Sequence, residues 1–169
     1  PNDRVRFTLH YSEELWILLQ VLVAMALGGA LGWERESMGK WAGFRTHMLV
    51  CVATMLFVRL GQILIADSAA RFPGNYLRTD PTRMIEAIAV GISFIGAGTI
   101  FRGPHEARKK GLTTAASLLT TAPIGLAIAL NRYVVAAGVT LICLFILHTL
   151  HRLEERIGTP HHPGPPRLP

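Results

Sequence analysis

Gly91-Ile92-Ser93-Phe94-Ile95-Gly96-Ala97-Gly98 lies inside an apolar run, residues 84–101, that is long enough to cross a lipid bilayer. A spanning helix needs about 20 mainly apolar residues at a rise of about 1.5 Å each. Four more runs of the same character, 15–33, 48–66, 112–130 and 133–150, flank it in the chain, the last with least length to spare. Five such runs in succession predict an all-α fold: a polytopic membrane bundle of five transmembrane helices.

Composition agrees. Half of the 169 residues are hydrophobic and the mean hydropathy is +0.36. Too little chain lies outside the runs for a second domain, so the expected division is a segment 1–14, a membrane domain 15–155 and a disordered Pro-rich tail 156–169. A formal charge of +6 would suggest nucleic acid in a soluble protein. Here the charge sits in short loops between spans, and no basic groove with interleaved aromatics offers itself, so no nucleic-acid partner is expected. Cys51 and Cys143 both lie in apolar runs and read as small core hydrophobes, not a disulfide. The 15–33 run lacks a basic leader and a small-residue cleavage site, and it follows Glu13 and Glu14. It is expected to stay as a helix.

Loop charges give the orientation. Arg35, Lys40 and Arg45, then Arg102, Arg108, Lys109 and Lys110, then Arg152, Arg156 and Arg167 place ten basic residues on one side. Arg4, Arg6, Arg71, Arg78, Arg83 and Arg132 place six on the other. Positive-inside logic puts the N-terminus outside and the C-terminus in the cytoplasm. The Arg108-Lys109-Lys110 cluster suits anionic headgroups. Asn131-Arg132 barely separates the last two runs, which must form an antiparallel hairpin. Pro73-Gly74-Asn75 marks a turn, and Asp80-Pro81 reads as the cap and first turn of the third helix.

In lipid, close helix contact depends on small residues. The first helix offers Ala24, Gly28 and Gly32 on one stripe, with Gln20 in line. The third offers Ala87, Gly91 and Gly98 on one face and Ala89, Ser93 and Gly96 on another. Small residues on two faces predict a central third helix, or backbone open to a solute or partner. The fourth helix carries Thr113, Thr114, Ser117, Thr120 and Thr121 ahead of Pro123, a predicted kink. Those hydroxyls either bond within the bundle or line a polar path.

Two groups of charges stand out. Arg59 and Glu86 lie at membrane depth, where such residues cost about 2.5–3.5 kcal/mol and should face protein or water. They either pair with each other, or Arg59 snorkels to the outer headgroups while Glu86 stays at the wet boundary. At the cytoplasmic ends, Glu34-Arg35-Glu36 closes the first helix and Arg45-Thr46-His47 opens the second. Glu34 either pairs with Arg45 or the adjacent helix N-terminal amides, or these are ordinary solvated end charges.

Gly28-Gly-Ala-Leu-Gly-Trp-Glu-Arg-Glu36, Ala42-Gly-Phe-Arg-Thr-His47, Gly91–Gly98 with Ile100, and Gly111-Leu-Thr-Thr-Ala-Ala116 resemble the MgtC/SapB family of bacterial inner-membrane proteins. Gly125 continues the pattern, and the similarity covers about residues 15–150. The resemblance implies a multi-pass inner-membrane domain, a role in adaptation to low magnesium and to life inside host cells, and in some members restraint of the proton-driven ATP synthase. It marks Gly28, Gly32, Glu34, Arg35, Gly43, Arg45, Thr46, Gly91, Phe94, Gly96, Gly98, Gly111, Thr113, Thr114 and Ala115 as family positions. Ser93 departs, standing where glycine is common.

Three function classes follow. The first is a regulator that binds another membrane complex, or a second copy of itself, through small-residue faces; it predicts no continuous polar path. The second is a channel or transporter for an ion or small solute such as Mg²⁺, phosphate or protons, lined by Arg59, Glu86 and the fourth-helix hydroxyls Thr113, Thr114, Ser117, Thr120 and Thr121, with Ser93 a further polar residue at membrane depth. Mg²⁺ usually takes one or two carboxylates, and Glu86 is alone in the spans. The third, an enzyme, is not expected, because no nucleophile–base or metal-ligand arrangement is visible and His10, His47, His105, His148 and His151 are scattered. No cofactor is expected. His161 and His162 in the tail do not make a functional metal site.

Overall fold

A computed structural model describes residues 2–71, 80–101 and 105–157, with side chains over 12–71, 80–101 and 111–149. The Pro73-Gly74-Asn75 turn, the Arg108-Lys109-Lys110 side chains and the tail with His161 and His162 lie outside the described residues. Among the described residues the regular elements are helices: α1 (Asn2–Ser37), α2 (Phe44–Arg71), α3 (Pro81–Phe101), α4 (His105–Ala129) and α5 (Tyr133–Ile157). Ser12–Ser37, Phe44–Arg71, Pro81–Phe101 and Gly111–Ala129 are long and apolar enough to cross a membrane. The apolar part of α5, Tyr133–Thr149, is shorter. The protein is a helical membrane bundle.

Local chemistry sets the helix ends. Gly39 takes φ +63°, so the Lys40 amide reaches the Arg35 carbonyl at 3.0 Å and the Gly39 amide reaches Glu36 at 3.0 Å. That 6→1 and 5→2 pair closes α1 and needs a left-handed residue. Asn131 ends α4 the same way, at φ 58°, with Arg132 N–H to the Ala127 carbonyl at 2.8 Å and Asn131 N–H to Ile128 at 2.9 Å. Asn tolerates this conformation better than most residues. Asp80 caps α3 ahead of Pro81, its Oδ1 accepting from the Thr82 amide at 2.9 Å and the Thr82 hydroxyl at 2.5 Å. Those bonds, the hydroxyl first, hold the Asp80 carboxyl below the usual carboxylate range.

The sequence places α3 at the centre; the structure places α4 there. α4 packs on α1, α2, α3 and α5, whereas α3 rests on α4 and scarcely touches α2. The reason lies in which small residues meet backbone. A Cβ on Gly125 of α4 would lie 2.4 Å from the Cys51 carbonyl oxygen, and one on Gly111 would lie 2.7 Å from the Thr99 carbonyl oxygen. Gly96 of α3 meets Ala115, but Gly91 and Gly98 have open space within 4 Å among the described residues. Their expected packing role is therefore corrected for the single chain. Pro123 sits inside a helix that continues to Ala129. The core gathers Ala24, Leu31, Cys51, Met55, Ile124 and Ile128 from α1, α2 and α4. Cys51 is buried, Cys143 is half-buried, and both thiols are free.

Candidate functional site

The first turn of α2 and the last turn of α1 meet because two glycines let them. A Cβ on Gly32 would lie 2.6 Å from Phe44 Cα, and one on Gly28 would lie 2.8 Å from the His47 carbonyl oxygen. This approach buries charged groups that helix ends normally expose. Glu34 keeps 9% of its surface and Arg35 2%. They pair as neighbours, Arg35 Nε donating to Glu34 Oε2 at 2.5 Å and Nη2 to Oε1 at 2.7 Å. A two-point contact of this kind is the strong form of the carboxylate–guanidinium bond.

The expected Glu34–Arg45 contact does not form. Arg45 is exposed, and the carboxylate at the α2 N-terminus is Glu36, whose Oε2 accepts from the Phe44 amide at 2.8 Å. Gly43 makes room: a Cβ there would lie 2.7 Å from the same oxygen. Glu36 thus meets both the orphan donor and the positive end of the helix dipole.

His47 joins the site to α4. It is fully buried; Nδ1 lies 2.9 Å from the Gly43 carbonyl oxygen and Nε2 lies 3.0 Å from Ser117 Oγ. A carbonyl only accepts, so Nδ1 carries a hydrogen, and in the neutral ring Nε2 then accepts from Ser117. The Ser117 hydroxyl has a second acceptor in reach, the Thr114 carbonyl at 2.8 Å. Thr114 and Thr121 are buried beside it, and Thr120 and Thr121 donate back to the Ser117 carbonyl at 2.9 and 2.8 Å. The α4 hydroxyls on this face are thus bonded within the bundle.

Replacing Ser117 with alanine should leave His47 Nε2 buried without its partner, which costs about 1–3 kcal/mol. Thermal unfolding in detergent measures this. Thr120→Ala, which removes a partly exposed hydroxyl bonded to its own helix, is the comparison, and equal losses in the two would refute the His47 contact.

A second polar cluster occupies the opposite end. Gln20 Nε2 donates to the Ile128 carbonyl at 2.9 Å and to Asn131 Oδ1 at 3.0 Å. Trp16 Nε1 and the Tyr133 hydroxyl donate to the same oxygen at 3.3 and 3.2 Å, and the Trp16 and Tyr133 rings meet edge to face. This cluster ties α1 to the α4–α5 turn. The core residues Ala24, Met55 and Ile124, with the buried Thr54 beside them, lie between it and the Glu34 end.

Residues 21–156 match the profile of the MgtC family. The chain belongs to the MgtC family. It is 32% identical over 140 residues to a protein named putative magnesium transporter YhiD in Escherichia coli (strain K12), covering 83% of this chain and 63% of that one. It is 34% identical over 141 residues to Protein MgtC of Salmonella typhimurium (strain LT2), covering 83% and 55%. An uncharacterised Haemophilus influenzae protein is 37% identical over 115 residues, covering 68% and 47%. The chain therefore spans less than two thirds of the length of each of these relatives. No solved structure matches it.

The family positions separate in space. Glu34, Arg35, Thr114, Gly28, Gly32 and Gly43 gather at one end with Ser117, whereas Thr113 and Ser93 are exposed and Thr46 borders a surface cleft. Arg59 donates to Gln62 Oε1 at 3.3 Å rather than pairing with Glu86, which is exposed. Its Nε is buried without a partner among the described residues. Sequence reasoning passed over His47 as one of several scattered histidines. The turn from Gly43 to His47 was legible, but the Ser117 contact spans 70 residues and exists only in the packed bundle.

Proposed function

We propose that this MgtC-family domain is a non-conducting regulatory module of the bacterial inner membrane. It serves adaptation to low magnesium and host-cell stress by docking on another membrane complex, such as the ATP synthase, and restraining it. The Glu34 end faces the cytoplasm, in line with the loop charges. The observation that carries this reading is the division of the buried polar groups. The His47–Ser117 and Gln20–Asn131 clusters stand at opposite ends of a core that is mainly apolar between them, the buried Thr54 and Thr140 being its isolated hydroxyls. A solute path needs polar groups in succession. Among the described residues no three His, Cys, Asp or Glu side chains gather to hold a metal, and the Glu34 carboxylate is engaged by Arg35.

The docking surface in this reading is the flank of α3 that faces away from α4. Phe94 is 82% exposed and Phe101 76%. Ser93 is exposed and lies one turn from Ala97, a small-xxx-small pair of the kind that admits close helix approach. Transport remains the competing reading, because one relative is named a putative magnesium transporter.

Protein reconstituted in sealed vesicles should move no Mg²⁺, phosphate or protons above an empty-vesicle control. Flux that Glu34→Gln or Ser117→Ala reduces would replace regulation by transport. Protein purified in mild detergent should carry a membrane complex with it, and Ser93→Ile with Phe94→Ala should remove that complex while leaving thermal unfolding unchanged.

A further inference from the structure

We propose that the cleft between α2 and α3 is a phospholipid site, seating one acyl chain along α3 and an anionic headgroup at the Glu34 end. The cleft consists of two cavities. The first, about 450 Å³, lies between Val50, Ala53 and Phe57 of α2 and Met84, Gly91 and Ile95 of α3. Thr54 brings the one hydroxyl to its walls. The second, about 500 Å³, begins at Ile95, which borders both, and runs to Trp41, Thr46 and Thr99.

The lining therefore changes from hydrocarbon to hydroxyl and indole along one direction. An amphiphile with a single polar end has the same order of chemistry. Tryptophan belongs at the membrane–water boundary, and Trp41 is half exposed there. Arg45, next to Thr46, is exposed and makes no ion pair among the described residues, and Lys40 lies one residue before Trp41. Free cations at the boundary favour an anionic headgroup by about 1 kcal/mol each.

Size decides between a lipid chain and a protein helix. A helix about 10 Å across has a cross-section of roughly 80 Å², several times that of a single acyl chain, so less of it enters a cleft of this size. An acyl chain is thin enough to use the whole length. Water is a poor occupant, because each buried molecule needs about 2–4 polar partners. Left empty, the cleft would deprive its walls of dispersion contacts. The site adjoins the proposed docking flank: Phe101 borders the second cavity and Phe94 follows Gly91 by one turn, whereas Ser93 lies on the opposite side of α3 from Gly91.

Native mass spectrometry of the protein, purified in mild detergent and given phosphatidylglycerol, tests this. One phospholipid per chain should survive activation that strips the rest. Gly91→Phe and Ala53→Phe fill the cleft from opposite walls and should weaken retention about tenfold, a change equivalent to about 1.4 kcal/mol. Gly138→Phe, at an equally open position on α5, should retain the lipid. Wild-type protein without a retained lipid, or equal retention in all four proteins, overturns the site. Equal retention of phosphatidylglycerol and phosphatidylcholine overturns the headgroup assignment. Should the Phe variants fail to insert, wild-type protein in phosphatidylglycerol vesicles carrying a photoreactive acyl chain gives the answer. Adducts concentrated in residues 84–98 support the site, and equal labelling of the exposed 134–146 face refutes it.

Discussion

Gly125→Ala should be among the most damaging single-methyl changes in this protein. The added Cβ would lie 2.4 Å from the Cys51 carbonyl oxygen, 3.1 Å from Thr54 Cβ and 3.2 Å from the Met55 amide nitrogen. Two of those three neighbours are backbone, so α2 and α4 must separate to accept it. Overpacking of this kind costs about 1–3 kcal/mol, and occasionally more. The widened contact also pulls on the His47–Ser117 bond one helical stretch away. Gly91→Ala and Gly98→Ala form the opposite case, because their Cβ positions are open and alanine is the better helix former by up to about 1 kcal/mol. Thermal or denaturant unfolding in detergent should therefore rank Gly125→Ala well below wild type and the two α3 variants at or above it. Similar losses at all three positions would mean that α3 is as enclosed as its glycines first suggest.

Arg35→Met should be comparably severe for an electrostatic reason. It strands the Glu34 carboxylate, 9% exposed, without its two-point partner. Breaking a buried pair from one side costs about 3–5 kcal/mol, whereas replacing both members can be close to neutral. Glu34→Gln combined with Arg35→Met should accordingly recover much of the loss, and the two changes should be far from additive. Unfolding measurements on the two single variants and the double variant complete the cycle. An Arg35→Met protein with wild-type stability would show the carboxylate to be solvated, and the cluster would lose its place as a built site. Arg45→Met, by contrast, removes an exposed side chain and should change stability little.

Membrane character, the number of apolar runs and the Asn131 hairpin are local properties, carried by consecutive residues. The MgtC-family motifs marked Gly28, Gly32, Glu34 and Arg35 as a unit, and the structure does bring them together. Their partners were harder to assign. Glu34 bonds its neighbour Arg35, and Glu36 takes the helix amide that was one of two expected partners of Glu34. Spacing along a chain cannot tell which of three adjacent charged side chains turns inward, since that depends on the angle at which α1 meets α2. Arg59 illustrates the same limit, finding Gln62 on its own helix and not Glu86 across the gap.

Glycine placement draws the line most clearly. From the amino-acid order alone one knows that this chain lives in lipid and that its helices can approach closely, because hydropathy and side-chain volume are properties of each residue. Which approaches are made is a matter of three-dimensional arrangement. Gly125 and Gly28 press against backbone, whereas Gly91 and Gly98 face a cleft. The stripe of small residues is present in both cases, and only the neighbouring helix decides whether it becomes a seam or an opening.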